Sequence, residues 1–487
     1  MKKPTALLTL LAVLAMASCS GKNNGGGGNG GPAIEAQSDM PVFDRFEGEI
    51  EQNITLQILE NDTAKSLGYL DELLDAFNEA YAEYGITAVD ANIDQYSNLA
   101  EDGPYGYGPD VLYQANDVIM KYVEGRHVMP LPTWDIEAYE QFPDAAIDAY
   151  KANVDGIRYS FGVPVNAQAP MLFYRKDMVP EGSDANNNGT PDMVESWNAL
   201  YEYSKQINEA DPSKRGYMKA LYDVYFSSGY LFSYGAYVFG DGGTNTDDIG
   251  FNKGEAWKGA WIIRQLAEIM GPTCVDDSIN TTCYGSLARG ELFATMTTPD
   301  VTNNFTTEMV TQYVADGMSP SEATAAAEEN LVIADLPKLP KSGDLSEENP
   351  ELIDMKAMGG INGYAISSYT KYPVACLAFV NFATSFEMIK TREAMLGIAP
   401  CRADVVADSD SAITENIFER LEKGLITLMP SVNETSQIWT PGETLNKDLA
   451  TDPTRNPDEQ KYKTQEDYQE GLDEMCRKIH EAITTLA

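Results

Sequence analysis

Residues 162–180, GVPVNAQAPMLFYRKDMVP, lie between two regions that each read as an α/β lobe. The stretch opens with a Gly162-Val163-Pro164 turn and a polar loop, Asn166-Ala167-Gln168. An apolar run, Met171-Leu172-Phe173-Tyr174, then ends in the charged corner Arg175-Lys176-Asp177. A short apolar run bounded by Pro and charge suits a buried strand or a buried helix segment. Here Pro170 and the aromatic content favour the strand. Working back, 50–59 reads as a strand and 66–84 as an amphipathic helix with Leu70, Leu73, Leu74, Phe77 and Tyr81 on one face. Strands over 86–93 and 108–113 follow, then helices over 117–124 and 136–151. Strand–helix–strand order predicts a parallel, doubly wound lobe. Working forward, helices are expected over 197–208, 251–270, 375–385 and Gln465–Leu486, with a strand and Pro-rich turns over 331–341.

The chain has 487 residues, too many for one small core, so two domains with inserts are expected. Its 75 acidic against 34 basic residues give a net charge of −41. Nucleic-acid or anionic-membrane binding through the folded surface needs Lys and Arg, so this balance argues against both. Two histidines, His127 and His480, leave little room for His-based catalysis or zinc chemistry.

The N-terminus carries Lys2-Lys3, an apolar run over 6–17 and Ser18-Cys19, a secretory signal with an apolar segment too short to span a bilayer comfortably. Met16-Ala17-Ser18-Cys19 resembles a bacterial lipobox, which implies cleavage before Cys19, lipid attachment there and a protein anchored to the outer face of the cell membrane. Residues 20–32, SGKNNGGGGNGGP, suit a flexible tether, which we extend to residue 49. Cys274 and Cys283 flank a short polar loop and are expected to pair in an exported chain. Cys376, Cys401 and Cys476 leave one further pair open and at least one buried free thiol.

Residues 184–195, DANNNGTPDMVE, carry the sharpest local signal. Asp184, Asn186, Asn188, Thr190, Asp192 and Glu195 occupy loop positions 1, 3, 5, 7, 9 and 12, with Gly189 at 6. That is the ligand spacing of an EF-hand calcium loop. Pro191 departs from the pattern at position 8 and no entering helix fits before it. The expectation is a solitary, structural Ca2+ loop, and the bland alternative is a solvated Asn-rich turn.

The ordered series GVP, polar loop, apolar strand and Tyr-x-Lys-Asp corner resembles the lobe crossover of extracellular sugar-binding proteins of ABC importers, the maltose-binding family. Other pieces resemble that family in the same order: Gly108-Pro109-Asp110-Val111-Leu112-Tyr113, residues 287–298 (LARGELFATMTT), residues 358–369 (MGGINGYAISSY) and Gly397-Ile398-Ala399-Pro400. The resemblance implies a two-lobe, type II periplasmic-binding-protein fold of two doubly wound sheets, with ligand in the interlobe cleft. It places the N-terminal lobe at 50–165 and 342–405 and the C-terminal lobe at 166–341 and 406–487. It further implies a monomer that closes on an oligosaccharide by hinge motion and delivers it to membrane permease subunits.

By the same resemblance the sugar contacts are Asp62, Lys65, Tyr113, Gln114, Asp117, Gln168, Asp223, Tyr225 and Trp439. Sugars are gripped by rings against their C–H faces and by planar polar groups at their hydroxyls. The family's ring after the GPD strand is replaced by Gln114, with Tyr113 adjacent, and its crossover acid is Gln168, which puts maltose itself in doubt. No catalytic motif of the G-x-S-x-G, H-E-x-x-H or phosphate-loop type occurs, so no enzyme is expected. The rival readings are a surface glycoside hydrolase, which needs two carboxylates about 5 to 10 Å apart, an adhesin, and the same fold binding a peptide or polyamine.

Overall fold

The computed structural model describes residues 34–276 and 278–486. The signal segment, Cys19 and the glycine-rich tether lie outside these residues. The strands of the two principal sheets are, in chain order, β1 (Ile54–Leu59), β2 (Ile86–Asp90), β3 (Val111–Ala115), β4 (Val163–Gln168), β5 (Met171–Arg175), β6 (Arg215–Tyr217), β7 (Leu292–Thr297), β8 (Leu331–Ala334), β9 (Ala357–Ile366) and β10 (Ala399–Pro400). The described residues divide into two compact units: those up to Gln168, with Gly360–Glu422 and Leu428–Ser436, form unit 1, and those of Ala169–Gly359 and Lys423–Thr427, with those from Gln437 on, form unit 2. The chain first leaves unit 1 between β4 and β5, inside the stretch that opened the sequence reading. It returns within β9, later than residue 342, because Leu339–Pro340 pairs with Leu352–Ile353 and keeps that hairpin in unit 2.

Unit 1 carries the sheet order β10-β4-β9-β3-β1-β2. β1 runs parallel to β2 and β3, whereas β9 is antiparallel to both β3 and β4. β4 therefore points the same way as β3, and the carboxyl ends of β1, β2, β3 and β4 share one edge of the sheet. The inner strands β4 and β9 are buried at all but one position each, as in a sheet covered on both faces, whereas β2 at the edge leaves Thr87 exposed. Residues 163–168 form a strand rather than a turn and loop, since β9 and β10 pair with them on either side. Gly363 makes that pairing possible: a Cβ there would lie 2.2 Å from the Val163 carbonyl oxygen. The helix expected over 66–84 breaks at Gly68, whose φ is +79°, into Asp62–Ser66 and Tyr69–Ala80. The helix expected over 136–151 is a short Asp144–Asp148 helix followed by an antiparallel hairpin, Lys151–Val154 with Ile157–Ser160. Residues 34–49 are not tether. Ile34–Glu35 adds to that hairpin, Phe43 and Phe46 are buried, and Arg45 donates to the Ser368 carbonyl at 3.0 Å.

A buried ion pair sits in the middle of unit 1. Glu60, the residue after β1, holds Arg392 of the Phe386–Leu396 helix through two bonds of 2.7 and 3.1 Å. Tyr364 donates its hydroxyl to the same carboxylate. The guanidinium lies over the rings of Tyr113 and Tyr69, at 4.1 and 4.7 Å. Two charges out of water are tolerated here because each is paired, hydrogen-bonded and faced by aromatic rings.

Unit 2 carries the order β8-β5-β7-β6, with β5 antiparallel to both neighbours and β7 parallel to β6. Its core gathers around Trp197 of the Trp197–Ala210 helix, which meets Tyr217 and Tyr230 edge-on at 5.1 and 5.2 Å. The Cys274–Cys283 pairing does not form. Cys274 packs toward the Ala450 carbonyl and Cys283 faces Asn280 and Thr295, because Cys283 lies on the Ile279–Ala288 helix and turns to the sheet. All five described cysteines are free and buried. Burial pushes the Cys274 thiol up to about 11, so it stays protonated and unreactive at neutral pH.

Candidate functional site

In open α/β sheets, loops at the carboxyl ends of parallel strands are where ligands bind. Unit 1 brings its candidates to that edge. Asp62 opens the helix after β1, with Asn61 capping it through the Ala64 N–H at 2.8 Å. Lys65, one turn on, pairs with Asp90 at the end of β2 at 3.1 Å. Gln114 lies near the end of β3, half-buried, and its backbone carbonyl accepts the Tyr150 hydroxyl at 2.9 Å. Asp117 follows in the first turn of the Asn116–Glu124 helix. Gln168 ends β4 and accepts an amide N–H from Asn362 of β9 at 2.8 Å.

Tyr113 does not join them. Alternation along β3 turns it into the core, where it is 4% exposed and its hydroxyl bonds Asn166. It is a support of the buried ion pair rather than a ligand contact.

The sequence reading missed Gln95. Its Oε1 accepts the Asp62 N–H at 3.0 Å and its carbonyl oxygen accepts from Gln114 Nε2 at 2.6 Å, so one residue ties two of the candidate loops. The available signal was its position just after the carboxyl end of a parallel strand. β2 ends at Asp90, earlier than 93, so the segment carrying Gln95 is a longer loop than expected.

Unit 2 assembles its candidates from helix N-termini. Asp223 caps the Val224–Ser233 helix through the Tyr225 N–H at 3.0 Å. Burial pushes its carboxyl up, and the nearby Lys219 ammonium and the helix amides offset part of that. Lys219 is itself fully buried, with its ammonium 3.5 Å from the Phe226 ring centroid, and burial pulls its pKa down. Tyr225 stands edge-on to Phe226 at 5.2 Å. Trp439 opens the Trp439–Thr451 helix instead of lying in a loop, and is half-buried. Gly442, one turn later, sets this helix tight on the first: a Cβ there would lie 2.7 Å from Val224 Cγ2. Asp223, Tyr225 and Trp439 thus sit at the starts of two helices packed together, where amide donors and rings are offered side by side.

The 184–195 loop closes on itself. Asp184 accepts the Asn188 and Gly189 N–H groups at 3.1 and 3.0 Å, and Thr190 donates its N–H to Asn188 Oδ1 at 2.8 Å. Glu195 Oε1 accepts the side-chain amides of Asn186, at 2.8 Å, and of Asn188. Asp192 takes the Ala185 N–H at 3.1 Å. The loop is rooted by the Lys338 N–H on the Glu195 carbonyl at 3.0 Å and the Trp197 N–H on the Lys338 carbonyl at 2.8 Å. Among the described residues no group of three or more His, Cys, Asp or Glu side chains converges as a metal site. A cation here would draw on the Asn oxygens and a backbone carbonyl as well as carboxylates.

Residues 72–419 match the model of the family described as bacterial extracellular solute-binding proteins. This chain belongs to that family. Among its relatives, a galactooligosaccharide-binding protein of Bacillus subtilis is 27% identical over 375 residues, covering 73% of this chain and 76% of the relative. A maltodextrin-binding protein of the same organism, MdxE, is 23% identical over 366 residues, covering 74% and 76%. Among solved structures, MalX from Streptococcus pneumoniae in complex with maltopentaose superimposes with a TM-score of 0.67 at 18% identity, over 88% of this chain and all of that one. At that identity the likeness shows the fold, which is the α/β solute-binding fold expected from the sequence. These relatives are named for binding, not for a reaction.

Proposed function

We propose that this solute-binding protein captures an oligosaccharide and hands it to an ABC permease while held to the cell membrane by a lipid on Cys19. What carries the reading is the convergence of Asp62, Lys65, Gln114, Asp117 and Gln168 on one edge of unit 1, a set of planar and charged groups suited to sugar hydroxyls. The rings of Tyr225 and Trp439 in unit 2 supply the complementary apolar faces. The relatives' names, galactooligosaccharide-binding and maltodextrin-binding, support the same ligand class. Binding by closure is the mechanism the family resemblance implies: a ligand favours a closed state by its differential affinity for it. The protein acts as a monomer and performs no reaction on the sugar. Calorimetric titration with malto- and galacto-oligosaccharides, with the sugar analysed afterwards, tests this. Micromolar binding with the sugar recovered intact is expected; shortened sugar would point to a hydrolase, and heat only with spermidine or a peptide would keep the fold and change the ligand.

The 184–195 loop is proposed to hold a structural Ca2+ through Asp184, Asn186, Asn188, Thr190, Asp192 and Glu195. Its support is the twelve-residue spacing, with Gly189 at φ +88° in the tight turn. Added calcium should raise the melting temperature, and Glu195→Gln should abolish that rise. An identical melting curve in calcium and in chelator would remove the ion from the account.

A further inference from the structure

The loop beside the polar edge of unit 1 carries an exposed aromatic residue, Tyr96. The loop that leaves β2 is fixed at several points. Asp90 Oδ1 accepts the Asn92 N–H at 2.9 Å, Lys65 donates to the Ile93 carbonyl at 3.4 Å, and Gln95 carries the two bonds to Asp62 and Gln114. Asp94 Oδ1 accepts the Tyr96 N–H at 2.7 Å, and Asn98 caps the following turn through the Ala100 N–H at 3.1 Å. Tyr96 thus follows directly on the residue that ties the candidate loops together, and it is 83% exposed.

Position separates it from the other exposed rings of unit 1. Tyr105 and Tyr107 lead into the amino end of β3, and Trp134 leans edge-on against Phe43 at 4.8 Å. Among the described residues, Tyr96 is the strongly exposed aromatic just past the carboxyl end of a parallel strand, on the edge where the polar candidates gather. A ring left in water costs hydrophobic free energy that a sugar's C–H face can recover. A backbone already tied at four residues loses little entropy when that happens.

We propose that Tyr96 is the stacking platform of unit 1: its ring takes the C–H face of a pyranose whose hydroxyls bond Gln114, Asp62 and Lys65. This rests on the carbohydrate reading above and adds to it a ring that makes unit 1 an aromatic as well as a polar surface. It also makes the β2–β3 loop a determinant of which sugar is accepted, since the ring fixes the plane of one pyranose against amide and charged partners.

The test is titration of the purified protein and three variants with maltopentaose and with a galacto-oligosaccharide. For whichever sugar the unaltered protein binds, Tyr96→Ala should weaken affinity about tenfold, the size of one lost stacking contact, while Tyr96→Phe stays within about twofold. Tyr105→Ala, an exposed tyrosine away from the edge, should bind as the unaltered protein does. If Tyr96→Ala binds normally, or Tyr96→Phe is as weak as the alanine variant, the stacking role is wrong and the carbohydrate reading stands. If the unaltered protein binds neither sugar, the carbohydrate reading falls and the role of Tyr96 with it.

Discussion

The two units present their candidate groups by different means. In unit 1 the candidate groups ride on the carboxyl ends of parallel strands and are largely polar, cross-tied by Gln95 and by the Gln168–Asn362 bond. In unit 2 they lie at the starts of two packed helices and are largely aromatic, with Tyr225 and Trp439 joining the capping Asp223. A strand end fixes its following loop through the sheet, so unit 1 can hold short amides and carboxylates in register. A helix start offers free N–H groups and little lateral constraint, so large rings braced on neighbouring side chains suit it better. Rigidity in unit 1 thus derives from the sheet and its buried ion pair, and in unit 2 from helix packing.

The largest effect that would break this contrast is on Arg392. Arg392→Met removes the charge partner of a wholly buried Glu60 and leaves that carboxylate with only the Tyr364 hydroxyl and the Asn61 N–H. A loss of roughly 3 to 5 kcal/mol is expected, the usual consequence of orphaning a buried charge. Denaturant unfolding measures it, and a loss under about 1 kcal/mol would show that the pair does not brace the sheet.

Unit 2 has a smaller counterpart. Asp452 is buried at the end of the Trp439–Thr451 helix, bonded to Arg264 at 2.9 Å, to Arg455 at 2.8 Å and to the Lys461 N–H at 2.8 Å. Burial pushes its carboxyl up, but the amide and the two guanidinium groups outweigh that and hold it below the usual range. A carboxylate depressed in the folded state stabilises above its unfolded pKa, and that contribution fades as pH falls through the folded value. The unaltered protein should therefore lose stability below about pH 4 more steeply than Asp452→Asn, which should already be weaker at pH 7 by roughly 2 kcal/mol because both arginines reach solvent. Parallel pH profiles for the two proteins would contradict this.

The smallest effect leaves stability alone and reads binding. Trp439→Ala should weaken sugar affinity by about tenfold, with little change in melting temperature, as expected for a half-buried ring at a helix start. Unchanged affinity would remove Trp439 from the site and leave unit 2 represented by Asp223 and Tyr225.

Much of this was legible in the chain because local signals and tertiary pairing agree. The Trp197 helix and the Gln465–Leu486 helix fall where periodicity puts them, whereas the strand expected over 108–113 starts three residues later, at Val111–Ala115. Residues 163–168 did not, because Gly-Val-Pro and a polar Asn-Ala-Gln read locally as turn and loop, while pairing on both sides makes them a strand. The hairpin at 151–160 was hidden for the same reason, since its partner strand comes from residues 34–35. The Cys274–Cys283 pair looked close in sequence, yet an intervening helix start turns the two thiols to different neighbours. Gln95 could not be found from its type: an amide in a polar loop says nothing until two other loops are seen to bond to it. Tyr113 and Gln114 were adjacent candidates, and only strand alternation in the folded sheet separates the buried ring from the half-buried amide.

The central proposal is that the candidate residues named in each unit contact the sugar. Hydrogen–deuterium exchange on the purified protein, with and without a saturating oligosaccharide, measures this directly. The account predicts slowed exchange over residues 61–66, 91–98 and 113–117 in unit 1 and also over 223–226 and 438–442 in unit 2. Slowed exchange in one unit alone, or in neither, would contradict it.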